Sequence, residues 1–129
     1  MNKRILVIDD ERSVRKSFTL ALEDLDYHLD TVESGEKGIE MEKAQPYDLI
    51  FLDLRMPGMN GVETLRAIKK IDKDALVYIV TAFHKEFFTG LKDAMKDGIE
   101  FDLLKKPIGI DEIQLVVKSV LEGGVVKGA

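Results

Sequence analysis

Apolar positions along this chain alternate between two rhythms. Short continuous runs rich in Ile, Val, Leu and Phe give way to segments whose apolar residues recur every three or four positions. "RILVIDD" (4–10) is the first run and reads as a buried strand. "ERSVRKSFTLALEDL" (11–25) follows, with Val14, Phe18, Ala21, Leu22 and Leu25 at helical spacing. "YHLDTVES" (27–34) alternates as a strand does, and Gly35 opens a short helix that runs to about Ala44 before Pro46 ends it. "YDLIFLD" (47–53) is a third strand, and "GVETLRAIKKI" (61–71) a helix with Val62, Leu65 and Ile68 on one stripe. "ALVYIVTA" (75–82) is a fourth strand. "KEFFTGLKDAMKDG" (85–98) reads as a helix closed by Gly98, with Gly90 as a weak point in its middle. "FDLLKKP" (101–107) is a short fifth strand, and "DEIQLVVKSVLEG" (111–123) a last helix with Ile113, Val116, Val117 and Val120 inward.

Five strands alternating with five helices, the strands almost wholly apolar, predict a parallel sheet covered on both faces. Right-handed crossovers make a doubly wound α/β sandwich the natural solution. With 129 residues the chain has enough length for one core, and residues 1–122 are expected to form one domain. The tail "GGVVKGA" (123–129) reads as disordered or as the start of a linker.

Composition narrows the function classes. Net charge is −5 with both signs interspersed, so the basic stripe of a nucleic-acid-binding surface is missing. There is no Cys, which excludes disulfides, thiolate metal sites and thiol nucleophiles. No apolar stretch approaches the roughly 20 residues of a membrane span, and "MNKRILVIDDE" lacks the apolar core of a signal peptide. A cytoplasmic protein without membrane or direct nucleic-acid contact is expected.

The candidate chemistry stands at the strand ends. The first strand finishes in Asp9 and Asp10, the third in Asp53, the fourth in Thr81 and the fifth in Lys106. In open parallel sheets ligands bind beyond the carboxyl ends of the strands, where strand order reverses. If the order is 2-1-3-4-5, a common one for doubly wound sheets, that point lies between the first and third strands. Asp9, Asp10 and Asp53 would then crowd one pocket, flanked by a hydroxyl and an ammonium. Three carboxylates repel one another and resist desolvation, so a hard divalent cation such as Mg²⁺ is expected to offset them. Cation, ammonium, hydroxyl and one free carboxylate together suit a phosphoryl group, with Asp53 as the nucleophile that accepts it.

Taken singly, each signal has an ordinary reading. Asp9 and Asp10 can cap the first helix, Thr81 can bond backbone at a strand end, and "KKP" is a common turn. It is their coincidence on four strand ends that points to phosphate chemistry. His28 and His84 stand alone and read as surface or packing residues. A haloacid-dehalogenase-type phosphatase would space its two Asp residues by one and would need a cap. A flavin site would need a Ser/Thr/Gly-rich loop where "DDERSV" places acid, and no P-loop is present.

"ILVIDDE", "LIFLDLRMPGMNG", "YIVTA" and "KKP" resemble, in order and spacing, the receiver domain of two-component response regulators over residues 3–122. The resemblance implies a flavodoxin-like (βα)5 fold, and a phosphoryl group moved to Asp53 from a phosphohistidine on a sensor histidine kinase. It implies Mg²⁺ ligated by Asp10 and Asp53, by Asp9 through water and by the backbone carbonyl of Arg55. Thr81 would bond the phosphoryl group, Lys106 would pair with it, and the bond before Pro107 would be cis. Arg55 and Phe83 would flank the site and control water access. The pattern departs at Leu103, where the family usually carries an aromatic switch residue coupled to the Thr.

The resemblance also implies a phosphorylation-dependent switch whose output face spans the fourth helix, fifth strand and last helix, about residues 85–121. Phe87, Phe88, Leu91 and Met95 lie in its first helix, where they could equally be core. The partners implied are the kinase and a downstream protein or fused effector domain, with homodimerisation on phosphorylation possible in the family. The implied role is that of a regulator that assists its own phosphorylation and dephosphorylation, not of an enzyme with a separate substrate. A scaffold that ignores phosphate is the remaining alternative.

Overall fold

The computed structural model describes residues 2–123, so residues 124–129 of the expected tail lie outside the described part. Strands β1 (Lys3–Ile8), β2 (Tyr27–Val32), β3 (Leu49–Leu52), β4 (Val77–Thr81) and β5 (Asp102–Lys105) alternate with helices α1 (Arg12–Leu22), α2 (Gly35–Ala44), α3 (Gly61–Ile71), α4 (Phe88–Lys96) and α5 (Ile110–Leu121). All strand pairs are parallel, in the order 2-1-3-4-5 that the sequence reading adopted.

Alternation of side chains along each strand sorts the core into two layers. Ile5, Val7, Leu49, Phe51 and Val80 face α1 and α5, packing on Phe18, Ala21, Leu22, Ile113 and Val117. Leu6, Ile8, Ile50, Leu52 and Ile79 face the other way, onto Leu65 and Ile68 of α3 and Leu91 and Ala94 of α4. This two-sided burial is why β1 and β3 read as unbroken apolar runs.

Several boundaries differ from the expectation, each for a local reason. β1 and β3 stop at Ile8 and Leu52, leaving Asp9 and Asp53 just past the sheet. α1 ends at Leu22, before the expected Leu25. The fourth helix begins with a 3-10 turn, Lys85–Phe87, that leads directly into α4. Gly90 lies inside α4 without breaking it. A Cβ there would sit 3.2 Å from Val62 Cγ1, so the missing side chain lets α3 and α4 approach closely. Helical spacing through the 3-10 turn and α4 turns Phe87 and Leu91 inward and leaves Phe88 and Met95 exposed, splitting the four apolar residues that the sequence left open.

Candidate functional site: a carboxylate pocket at the carboxyl end of the sheet

Register brings the acids together. Ile8 pairs with Leu52, and the Asp53 N–H donates to the Ile8 carbonyl at 2.9 Å. The next residues on the two central strands, Asp9 and Asp53, therefore emerge side by side. Asp10 follows at the surface, and carboxylate oxygens of Asp9, Asp10 and Asp53 all lie within 4.8 Å of one another. On the other side, Thr81 pairs with Lys105, and the Lys106 N–H donates to the Thr81 carbonyl at 2.8 Å. That carries the Lys106 side chain back over the acids. Its Nζ lies 3.3 Å from Asp53 Oδ1 and 3.1 Å from Asp9 Oδ2. The Lys106–Pro107 peptide bond is cis.

The loop after β3 is tied down around Asp53. Its N–H contacts include that of Leu54, which donates to Asp53 Oδ1 at 2.9 Å. The Gly61 N–H donates to the Leu54 carbonyl at 2.8 Å, folding the loop back against the strand end. A Cβ at Gly61 would fall 2.2 Å from the Asp53 carbonyl oxygen, so only glycine fits where the motif ends in Gly. Asn60 and Glu63 then form a capping box that starts α3. Glu36, from α2, accepts the Met59 N–H at 3.2 Å and braces the loop from outside.

Electrostatics in the pocket oppose ionisation of its acids. Burial, and secondarily the charge of Asp9, raises the Asp53 pKa to about 7 despite Lys106 beside it. Burial likewise raises that of Asp9, against the Glu11 N–H that donates to it and the Lys106 charge. Burial alone would lower the Lys106 pKa, but its bond to Glu11 and the charges of Asp9 and Asp53 prevail and hold the ammonium above its ordinary value. A divalent cation fits this donor set: three clustered carboxylates, two of them buried, with one lysine for two buried acids.

A recess of about 530 Å³ opens onto Asp10, Asp53 and Lys106, bounded also by Arg55, Ala82 and His84. The site residues named from sequence thus divide as follows. Asp9, Asp10, Asp53 and Lys106 share one pocket. Arg55 lines the recess and turns its guanidinium to Glu86 at 2.6 Å. Thr81 is buried at the adjoining strand end, where its Oγ1 accepts the Phe83 N–H at 3.0 Å. Leu103 does not touch the acids. It is 45% exposed on β5 and lines a separate apolar recess next to Thr81.

Two participants escaped the sequence reading. Glu11 Oε1 lies 2.7 Å from Lys106 Nζ, nearer than either buried Asp, and so shares the ammonium. The third acid of "DDE" was the only signal for it. His84 also borders the recess, its ring edge-on to Phe87, where only a surface or packing role was expected.

Known proteins match this arrangement along nearly the whole chain. The family model "Response regulator receiver domain" matches residues 5–118. The chain is 32% identical to Sporulation initiation phosphotransferase F of Bacillus subtilis over 124 residues, covering 94% of this chain and 95% of that protein. It is 35% identical to Transcriptional regulatory protein ResD of Bacillus subtilis, of which it spans only 48%. A signal receiver domain from Vibrio parahaemolyticus superposes with a TM-score of 0.80 at 26% identity, covering 99% of this chain and 96% of that one. A CheY-like receiver domain protein from Methanospirillum hungatei has the same fold, with a TM-score of 0.82 at 21% identity over 95% of both chains. Receiver domains are signalling modules that take a phosphoryl group on an Asp, work with histidine kinases and effector domains, and bind Mg²⁺ at an acidic cluster such as the one formed by Asp9, Asp10 and Asp53. The protein described here belongs to the response regulator receiver domains of two-component signalling.

Proposed function

We propose that this chain is a phosphorylation-dependent switch whose acceptor is Asp53, loaded from a phosphohistidine of a sensor histidine kinase. The observation that carries the reading is Asp53 itself: a buried carboxylate facing an open recess, with Lys106 Nζ at 3.3 Å and two further acids in one cluster. An Asp53 oxygen attacks phosphorus, forming the P–O bond as the P–N bond breaks and its electron pair returns to the imidazole. Lys106 pairs with a phosphoryl oxygen in place of a share of its contact with Glu11, and the Thr81 hydroxyl donates to another. Asp10, Asp53, Asp9 through water and the Arg55 carbonyl would hold Mg²⁺, whose charge favours ionised Asp53 and neutralises phosphoryl oxygens. Arg55 at the rim regulates access of water and thus the lifetime of the aspartyl phosphate, which the domain hydrolyses itself. Phe83, expected beside it, lines the separate apolar recess next to Thr81 instead, because its backbone turns away past the end of β4.

The domain comprises residues 1–122 and acts in the cytoplasm. Output passes through α4, β5 and α5 to a downstream protein or effector domain, with dimerisation of phosphorylated copies as one route. Phe88 and Met95 of α4 and Leu103 of β5, all exposed, support that assignment. The test is intact mass after incubation with acetyl phosphate and Mg²⁺. One phosphoryl adduct is expected in the parent, with none in Asp53→Asn and none when Mg²⁺ is chelated. A parent that gains no adduct while folded would overturn the reading.

A further inference from the structure

Phe83 carries a feature that phosphoryl acceptance by itself does not require. It lies two residues past the end of β4 with φ +63°, the one left-handed backbone among non-glycine residues in the described part of the chain. A bulky side chain in that region is unfavourable unless the surroundings hold it there. A hydrogen bond holds it: the Phe83 N–H donates to Thr81 Oγ1 at 3.0 Å. The buried Thr81 hydroxyl has no other hydrogen bond among the described residues. The Phe83 ring lines an apolar recess of about 250 Å³ together with Thr81, Leu91, Phe101 and Leu103. It is 39% exposed, next to apolar space that it does not fill. Leu103, itself about half exposed, is a short aliphatic wall of that recess.

These observations form a latch. One hydroxyl either accepts the Phe83 N–H in its present orientation or turns to donate elsewhere, and a turn of the Thr81 side chain removes the support of the left-handed residue. We infer that Phe83 is the aromatic half of the switch in this chain: the Thr81 hydroxyl latches it in the resting state, and withdrawal of that hydroxyl toward a phosphoryl group releases it to re-pack its ring in the recess against Leu91 and Leu103. The inference rests on the reading of Asp53 as phosphoacceptor, and it carries the signal from the carboxylate pocket to the α4–β5 surface without an aromatic at position 103.

Selective labelling tests it. Phenylalanine bearing ¹³C and ¹⁵N gives six amide signals in an otherwise unlabelled chain, and the one lost in Phe83→Leu belongs to Phe83. With acetyl phosphate and Mg²⁺, and intact mass recorded on the same sample, the Phe83 amide is expected to lose its protection from exchange while its ring gains contacts to the Leu91 and Leu103 methyls. In unphosphorylated Thr81→Ala the same amide and ring signals are expected to move toward their phosphorylated positions. Thr81→Ser, which keeps the hydroxyl, retains the resting signals. An adduct that leaves the Phe83 signals in place overturns the inference while sparing the phosphoacceptor reading. So does a Thr81→Ala spectrum with Phe83 unchanged. Absence of any adduct overturns the reading first and the inference with it.

Discussion

Asp53 and Glu42 are both carboxylates withdrawn from solvent, and the fold treats them differently. Asp53 sits at the carboxyl end of the sheet with an ammonium at 3.3 Å, like-charged neighbours and a recess open in front of it. Glu42 lies on α2, where its Oε1 accepts the Tyr47 N–H at 2.9 Å and its Oε2 has no hydrogen-bond partner. Burial raises the pKa of both, and for Glu42 the Asp72 carboxylate beside it adds to the effect. Burial and a perturbed pKa therefore do not distinguish a reactive carboxylate from a structural one. A cation partner and a way in for a reactant do, and of these two carboxylates Asp53 has both.

The comparison breaks most strongly at Lys106. Lys106→Met leaves Asp9 and Asp53 facing each other without an ammonium. The metal-free fold should lose roughly 3–5 kcal/mol at pH 7.5, as when one partner of a buried ion pair is removed. The loss should vanish below about pH 4, where both acids bind protons in the folded state. Urea unfolding at the two pH values measures it, and equal losses at both would mean that packing of the lysine stem, not its charge, matters.

Asp53→Asn is expected to act in the opposite direction. The folded Asp53 pKa of about 7 lies above the ordinary Asp value of 3.8, so between those values the folded state binds more protons than the unfolded chain. The contribution of Asp53 to stability is thus greatest at low pH and declines as pH rises through that window. Asn has no such dependence, so in chelator the variant should gain on the parent as pH climbs, by a few kcal/mol at pH 7.5. Denaturant midpoints from pH 4 to 8 would show a widening gap; a constant one would contradict the raised pKa.

Glu42→Gln should give the smallest effect and sharpen the contrast. Its carboxyl is also raised, so the sign is the same: the neutral amide avoids ionising a buried group and faces Asp72 with a donor. A gain smaller than that of Asp53→Asn is expected at neutral pH, shrinking as pH falls toward the ordinary Glu range. Phosphorylation by acetyl phosphate should proceed at the parental rate. A slowed rate would show that the two carboxylates are not independent.

The strand–helix rhythm was legible because burial on both faces leaves an unbroken apolar signature in β1, β3 and β4. The positions of Asp9, Asp53, Thr81 and Lys106 were legible for a related reason. Each stands where an apolar run ends, and parallel strands in register bring such ends to one edge. Other features had no linear signal. Gly61 was visible as a motif glycine, but its need to lie against the Asp53 carbonyl follows from the loop doubling back. The division of the 3-10 turn and α4 into buried Phe87 and Leu91 and exposed Phe88 and Met95 depended on how the helix was rotated against α3.

By itself, then, the sequence determined the layering of this protein and the collection of acids, hydroxyl and lysine at one end of its sheet, because side-chain periodicity and strand-end chemistry are properties of neighbours along the chain. Tertiary structure alone decided that Glu11 would share Lys106, that Glu42 would be buried without a second partner, and that Phe83 would be held left-handed by the Thr81 hydroxyl. Those outcomes depend on where long side chains reach and on which backbone conformations the packed surroundings enforce, and neither is fixed until the elements have met.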